Sequence, residues 1–281
     1  MSNEAITNAV TQFYNSHPIN EDQILHALRQ LGIDLANLTQ DDLSPHDQDH
    51  YGGIEANSVL ASKAGITQSD HVLDVCSGIG GPARWLAHQI GCHVTGLELT
   101  ESQCQAANRL TAMVRLEEKV KFRGGNALAM PFADATFDVA VSQEAFVHVP
   151  DKPRLIRECA RVVRYGGRLA FTDIVQRGTL DDRERARLRE EMAYPSVETI
   201  DGYRKLLQDS GCEGIQIEDL SDEWARILVS RLAMYRSLRA STVAKFGEAR
   251  GESWDRAYSF FVGLYETGQL GGVRVIARRA R

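Results

Sequence analysis

The sequence lacks an excess of positive charge. Its 281 residues include 32 Lys and Arg against 38 Asp and Glu, which gives a net charge of −6. Proteins that bind nucleic acid without sequence preference use clustered Lys and Arg side chains to displace counterions from phosphates. We therefore expect no nucleic-acid partner.

The sequence also lacks a long hydrophobic run. No segment is apolar over the roughly 20 residues that a membrane-spanning helix needs. The first residues, MSNEAITNAV, have neither the basic start nor the apolar stretch of a secretory signal. These absences predict a soluble, cytoplasmic protein with no membrane partner.

Cysteine is scarce and follows no metal or disulfide pattern. The five cysteines form no C-x-x-C pair and are odd in number, which favours reduced thiols. The segment PHDQDH at residues 45–50 resembles a metal site, but His46 and His50 would share a face only on a helix. A proline precedes His46 and a Gly-Gly pair follows His50, and both oppose a helix. We expect no metal there and interpret the segment as a capping loop or part of a substrate lid.

From residue 71 onward, short β-branched segments alternate with helical ones. Five strands are predicted, HVLDV, HVTGLEL, VKFRGGNA, FDVAVSQ and GRLAFTDI, and weaker candidates follow at 214–220 and 271–279. Strands separated by helices form parallel sheets through right-handed crossovers. Helical spacing is also found at residues 4–15 and 21–32 and over most of 222–265. The sequence therefore predicts an α/β fold with helical segments at both ends.

A glycine-rich turn follows the first predicted strand, in VLDVCSGIGG at residues 72–81. Ligands of open α/β sheets bind in the loops at the carboxyl ends of the strands, so this turn predicts a ligand site. G-x-G followed by Ala83, with Glu98 twenty residues after Gly78, also fits the dinucleotide fingerprint of an NAD-dependent oxidoreductase. Asp74 argues against that alternative, because its carboxylate would repel a pyrophosphate and attract a cationic ligand.

Asp74 and the glycine turn, followed by Glu98, resemble the first two motifs of class I S-adenosylmethionine-dependent methyltransferases. The resemblance implies that the acid and the turn hold the methionine part of S-adenosylmethionine and that Glu98 binds both ribose hydroxyls. Asn126 takes the position that reaches the adenine amino group. The cofactor-binding residues that the resemblance implies are Tyr14, Asp74, Ser77, Gly78, Gly80, Glu98, Leu99, Gln103, Asn126, Ala127, Leu128 and Gln143.

The resemblance also implies a fold: a Rossmann-like, seven-stranded, mostly parallel sheet with an antiparallel last strand, helices on both faces, and helical lids. We expect residues 1–65 to form an N-terminal cap, 66–175 the cofactor-binding core, and 176–281 the rest of the sheet with a lid insertion, in one compact domain. One departure is Cys76, which replaces the first glycine of the usual turn. A thiol is small enough to be tolerated there if the local φ is negative, and we expect a structural thiol; a catalytic role for Cys76 is the alternative.

Four segments narrow the resemblance: FYNS at 13–16, GGPARWLAHQIGCHV at 80–94, SQEAFVHVPDK at 142–152 and GGRLAFTD at 166–173. They are most similar to bacterial sarcosine and dimethylglycine N-methyltransferases. The resemblance implies methyl transfer to a small molecule, an amine of the sarcosine or dimethylglycine type. O- or C-methylation of a natural product is the alternative; an inactive cofactor-binding protein is another.

Glu144 and His148 are the predicted catalytic residues, because residues after the fourth strand face the reacting centre in this fold. An amine acceptor needs no dedicated base, whereas a hydroxyl acceptor would make His148 a general base. A helix-capping role for His148 is the competing interpretation. Arg84 or Arg204 are candidates to pair with an acceptor carboxylate. The predicted acceptor-binding residues are His50, Tyr51, His148 and Tyr194. The sequence does not define the oligomeric state, and both a monomer and a homodimer are open.

Overall fold

A computed structural model describes residues 10–11, 13–14, 20–237 and 239–281; for residues 241, 242, 245 and 246 it describes the backbone alone. The helix predicted over residues 4–15 lies mostly outside the described residues, as does the end of the FYNS segment. The strands are β1 (His71–Val75), β2 (His93–Glu98), β3 (Val120–Gly124), β4 (Phe137–Gln143), β5 (Val163–Gln176), β6 (Glu198–Thr199), β7 (Cys212–Asp219) and β8 (Leu270–Arg279).

The strands form one sheet in the order β3-β2-β1-β4-β5-β8-β7, and the two-residue β6 pairs with β5. Strands β1 to β6 pair in parallel, whereas β8 runs antiparallel between β5 and β7. The predicted Rossmann-like sheet with an antiparallel last strand is confirmed. Strand β6 was not predicted, because two residues are too few to show an alternating pattern.

Helices cover both faces of the sheet. They are α1 (Glu21–Gln30), α2 (Gln40–Leu43), α3 (Gly53–Ala64), α4 (Gly81–Gln89), α5 (Glu101–Met113), α6 (Lys152–Val162), α7 (Asp182–Glu191), α8 (Ile200–Asp209), α9 (Ser221–Ser237), α10 (Arg239–Phe246) and α11 (Glu248–Glu266), with short 3₁₀ helices at Leu35–Asn37 and Phe146–His148.

The central strands are buried on both sides, which explains their almost continuous apolar sequence. In β1, Val72 packs in a cluster with α3, α4 and α5, while Leu73 and Val75 pack in a second cluster with α6 and α8. Since the helices after β1 and β4 lie on opposite faces, a crevice opens at the carboxyl ends of these two adjacent strands. The fold therefore places the loops after β1 and β4 around one crevice.

The C-terminal helices α9 and α11 form a third, aromatic cluster beside β8. Trp224 and Phe261 are buried in it. A Cβ on Gly272 would lie 2.2 Å from the Trp224 ring, so only glycine lets this helix pack so closely on the sheet. Within the described part of the chain, no helix is both long and apolar enough to span a membrane.

Candidate active site

A cavity of about 210 Å³ lies at the carboxyl ends of β1 and β4. The loops after β1, β2 and β3 line one end of it, the cofactor end. The loop after β4, the segment 47–51 and helices α9 and α11 line the other, the acceptor end. The predicted catalytic, cofactor-binding and acceptor-binding residues line this cavity, whereas the two candidate arginines do not. The predicted residues that line it are Tyr14, His50, Tyr51, Asp74, Ser77, Gly78, Gly80, Glu98, Leu99, Gln103, Asn126, Ala127, Leu128, Gln143, Glu144, His148 and Tyr194.

The glycine turn has the backbone geometry that its sequence predicts. Gly78 and Gly80 have φ values of 53° and 81°, in the left-handed region that favours glycine. A Cβ on Gly78 would meet no atom within 4 Å, whereas one on Gly80 would lie 2.2 Å from the Phe122 ring. The Gly78 amide donates a hydrogen bond to Glu98 Oε2 at 2.9 Å. This bond fastens the turn to the end of β2.

The negative φ expected for Cys76 is wrong, because its φ is 60°. This conformation costs a residue with a Cβ about 1–2 kcal/mol, which is the physical reason for glycine at this position in the usual turn. The side chain packs against the core cluster of β1 and α6. Burial, followed by repulsion from Glu98, raises the pKa of the Cys76 thiol well above its ordinary value. A neutral, packed thiol agrees with the predicted structural role.

Two buried carboxyl groups lie at the cofactor end of the cavity. Burial, and next the charge of Glu98, raises the pKa of Asp74 from 3.8 to about 7. Burial also raises the pKa of Glu98, although amide hydrogen bonds from Thr100 and Gly78 oppose the change. Two acids held so close together in a low-dielectric site favour a cation beside them.

Three buried polar atoms around this end have no hydrogen-bond partner among the described residues: Asp74 Oδ2, Ser77 Oγ and Gln143 Oε1. Buried polar atoms in folded proteins almost always have partners. Since all three residues line the cavity, a polar ligand is the natural source of the missing bonds. Asn126 follows β3 on the same side, where its Oδ1 accepts from the Leu128 amide at 2.8 Å and keeps a second lone pair.

At the other end, His148 lies in the short helix after β4. Its Nδ1 is 3.0 Å from the Ala193 carbonyl oxygen, which makes Nδ1 the protonated nitrogen. Its Nε2 then accepts a hydrogen bond from the Tyr14 hydroxyl at 3.0 Å. The helix-capping interpretation of His148 is wrong, because Asp151 caps α6.

Glu144 connects the segment 47–51 to the sheet. Its Oε2 accepts from the Tyr51 amide at 2.5 Å, and its Oε1 accepts from the Thr172 hydroxyl at 2.6 Å. Burial raises the pKa of Glu144 to about 7. The carboxyl group therefore holds Tyr51 in the cavity wall, in addition to facing the cavity itself.

Comparison with known proteins identifies the family. Residues 73–171 match the model described as a methyltransferase domain. The chain is 30% identical over 216 residues to the sarcosine/dimethylglycine N-methyltransferase of Halorhodospira halochloris, and the match covers 76% of each protein. The chain belongs to the class I S-adenosylmethionine-dependent methyltransferases.

Other members of the family differ in length and in the reactions that their names state. The methyltransferase GfsG of Streptomyces halstedii is 36% identical over 61% of this chain, and the match spans only 63% of GfsG. The names also include a 27-O-demethylrifamycin SV methyltransferase from Amycolatopsis mediterranei, 30% identical over 78% of this chain and 81% of its own, and a sterol 24-C-methyltransferase from Kluyveromyces lactis, 32% identical over 58% of this chain and 46% of its own.

A solved structure shows the same fold. The phosphoethanolamine N-methyltransferase 2 of Haemonchus contortus, in complex with phosphomonomethylethanolamine and S-adenosylhomocysteine, superposes with a TM-score of 0.79. The match covers 98% of this chain and 60% of the other, at 17% identity.

The residues of this methyltransferase fit S-adenosylmethionine, the family's cofactor. Asp74 and Glu98 favour its positive charge, and the three unpaired polar atoms are suited to its amino, carboxyl and ribose groups. The open space at Gly78 leaves room for the close approach of a ligand. When bound, the cofactor supplies an electrophilic methyl group on a sulfonium.

The arginine that lines the acceptor end is one that the sequence analysis missed. Arg231 on α9 donates to the Asp49 and His50 carbonyl oxygens at 3.0 and 2.7 Å and lies over the Tyr51 ring. The two arginines proposed instead do not face the cavity: Arg84 is buried in an ion pair with Asp47, and Arg204 is absent from the cavity wall.

The helical spacing of α9 could have indicated that Arg231 faces the interior of the protein. On α9 it follows the buried Trp224 by seven residues and Leu228 by three, so it lies on the buried face of the helix. Tyr235 continues that face, and with Trp254 and Tyr258 of α11 it lines the cavity. These three aromatic rings form a wall of the cavity, whereas Trp224 and Phe261 of the same helices are buried in the core.

Proposed function

We propose that this protein transfers the methyl group of S-adenosylmethionine to a small molecule bound at the outer end of the cavity. One observation carries the proposal: the buried, cation-favouring pair Asp74 and Glu98 shares a continuous cavity with a second group of polar side chains at His148 and Glu144. The chain's own contribution is to align the acceptor and exclude water. Alignment of this kind accounts for several kcal/mol of a transfer barrier, within the range of about 7–11 kcal/mol for oriented reactions.

The proposed acceptor is a small amine that also carries a carboxylate, as sarcosine and dimethylglycine do. Arg231 supports this choice, because its two hydrogen bonds go to carbonyl oxygens and leave further N–H donors for a carboxylate; Asp49 is the acid whose charge reaches it. The ring of Tyr194 lines the same end and would stabilise the methylated ammonium product through cation–π contact, whereas the Tyr51 ring already carries the Arg231 guanidinium. The name of the Halorhodospira relative is consistent with this class.

A hydroxyl acceptor is the second candidate. The tautomer of His148 supports it: with the proton on Nδ1, Nε2 is the basic nitrogen, and the acceptor's hydroxyl would replace the Tyr14 hydroxyl as its hydrogen-bond partner. O-methylation would use this nitrogen as general base, whereas N-methylation of an unprotonated amine would not need it.

The first test is calorimetric titration with S-adenosylhomocysteine, with NAD in parallel. Micromolar binding of the nucleoside without NAD binding supports the proposal, and a preference for NAD refutes it. Methyl transfer is then measured with sarcosine, dimethylglycine and a panel of phenols and alcohols.

Two variants separate the acceptors. For a hydroxyl acceptor, His148→Asn should lower kcat by about 10²–10⁴-fold, the usual contribution of a general base. For a carboxylate amine, Arg231→Met should raise KM for sarcosine while leaving KM unchanged for a matched amine without the carboxylate. Equal effects of Arg231→Met on both amines would exclude carboxylate recognition by Arg231.

A further inference from the structure

The segment 47–51 lies directly on the helix that follows the glycine turn. A Cβ on Gly81, the first residue of α4, would lie 2.1 Å from the Asp47 carbonyl oxygen. Gly81 does not have a left-handed φ, so its backbone conformation does not require glycine. The close approach of the segment 47–51 is what leaves no room for a side chain. Asp47 lines the cavity beside Gly81, so this segment is a wall of the cofactor end too.

A fully buried ion pair holds the two elements together. Arg84 Nη2 on α4 donates to Asp47 Oδ2 at 2.9 Å, and both side chains have 0% exposure. The second terminal nitrogen, Nη1, donates to the Ala107 carbonyl and to the Thr111 hydroxyl of α5, both at 3.3 Å, whereas Nε has no partner among the described residues. The bonds to α5 thus hold the Arg84 side chain in place, and its Nη2 is the nitrogen that binds Asp47.

A chain of side-chain hydrogen bonds continues from this ion pair to Gln48, where it branches. Gln48 Nε2 donates to Asp47 Oδ1 at 2.6 Å, and Gln48 Oε1 accepts from His50 Nε2 at 2.9 Å and from Asn57 Nδ2 at 2.8 Å. Asn57 Oδ1 accepts from Gln143 Nε2 at 2.7 Å. One end of the chain is Gln143 at the cofactor end of the cavity, and the other is His50 beside the acceptor end.

Fold stability is a weak explanation for this pair. Buried ion pairs are costly to desolvate, and their replacement by apolar residues is often neutral or stabilising. Removal of one partner alone, in contrast, leaves an uncompensated buried charge. The pair lies between the helix that follows the glycine turn and the segment that carries His50 and Tyr51. This location favours a role in keeping that segment in position relative to the turn.

We propose that Asp47 and Arg84 are positioning residues that join the cofactor turn and the acceptor-side segment 47–51 into one unit. This inference rests on the proposed function, because it concerns the geometry of the cofactor and acceptor sites. Through the chain of side-chain hydrogen bonds, S-adenosylhomocysteine at the cofactor end and the wall at His50 and Tyr51 stabilise each other.

The test compares S-adenosylhomocysteine affinity with melting temperature in three full-length variants. Asp47→Asn breaks the ion pair, and the double variant Asp47→Leu with Arg84→Met replaces it by apolar side chains. The matched control is Asp70→Asn, which breaks the Arg168–Asp70 pair of 2.7 Å at the amino end of β1, away from the cavity. Hydrogen exchange of residues 44–51 is measured with and without S-adenosylhomocysteine.

The positioning role predicts that Asp47→Asn weakens S-adenosylhomocysteine binding by at least about fivefold, as coupled sites typically do. Asp70→Asn should lower the melting temperature without changing the affinity. The double variant should regain stability yet keep the weak affinity, and the ligand should no longer protect residues 44–51. Affinity that returns together with stability would overturn the inference, as would wild-type affinity in Asp47→Asn. If the wild-type protein itself fails to bind the nucleoside, the proposed function fails instead.

Discussion

Ligand binding at Asp74 should depend on pH in a way that the structure quantifies. The pKa of this buried carboxyl group is about 7. At pH 6 roughly 9% of such groups are ionised, and at pH 7.5 about three in four. If the ammonium of S-adenosylhomocysteine requires the ionised form, the affinity should rise about eightfold from pH 6 to pH 7.5.

The assay is calorimetric titration at several pH values, each in two buffers with different ionisation enthalpies. At pH 6 the complex should release nearly one proton per ligand, because the bound cation lowers the pKa of Asp74. Asp74→Asn is the control, since an amide cannot titrate, and its weaker affinity should be flat over this range. Glu144, whose pKa is also about 7, titrates equally in both proteins and so cancels in the comparison.

Two results would refute this reasoning. Wild-type affinity that is constant between pH 6 and pH 7.5, without proton release, would mean that Asp74 is already ionised or does not bind the cation. An identical pH dependence in Asp74→Asn would assign the titration to another group.

The remaining predictions concern stability, reactivity and the wall at Asp47. Folding raises the pKa of Asp74 from 3.8 to about 7, so the fold loses stability as pH rises between these values. Asp74→Asn should therefore increase the free energy of unfolding at pH 8 by up to about 4 kcal/mol and change it little at pH 4. The melting temperature of the variant should accordingly be higher than that of the wild type at pH 8. A lower melting temperature of the variant at pH 8 would contradict this. The raised thiol pKa of Cys76 predicts slower alkylation by iodoacetamide at pH 8 than for free cysteine, followed by mass spectrometry; an equal rate would exclude the neutral, buried thiol. Gly81→Ala, whose Cβ would lie 2.1 Å from the Asp47 carbonyl oxygen, should increase hydrogen exchange of residues 44–51 in the absence of ligand, whereas unchanged exchange would show that α4 adjusts instead.

The cofactor end of the site was predictable from the sequence because it depends on short segments. Asp74 and Gly78 belong to a single strand and turn, and Glu98 ends the next strand. In a parallel sheet, adjacent strand ends meet at one edge, so local patterns were enough to bring these residues together. The left-handed φ of Cys76 was not predictable in the same way, since a non-glycine residue does not reveal the conformation that the surrounding turn imposes on it.

The acceptor end was less predictable because its residues come from distant parts of the chain. Arg231 is brought to Tyr51 by the packing of α9, and Arg84 is taken up by Asp47. Charge and residue type suggested that an arginine binds the acceptor, but only tertiary contacts decide which guanidinium faces the cavity. An arginine on the apolar face of a helix is the more specific pattern, because burying its charge requires a partner or a ligand.

The cavity concentrates features that are locally unfavourable. Asp74 is a buried carboxyl group with an unpaired oxygen, and both Cys76 and Glu144 have a positive φ, of 60° and 48°. Asp74 lies in β1, and Cys76 and Glu144 directly follow β1 and β4, whose buried, hydrogen-bonded ladders fix the adjoining backbone. The sheet can therefore hold conformations and charges that an isolated loop would relax. The largest of these unfavourable contributions is the burial of the Asp74 carboxylate, and a bound cation would offset it. The burial that destabilises the free protein therefore strengthens binding of the cofactor. Stability and affinity should consequently change in opposite directions in Asp74→Asn, which is the combination that a purely structural carboxyl group would not produce.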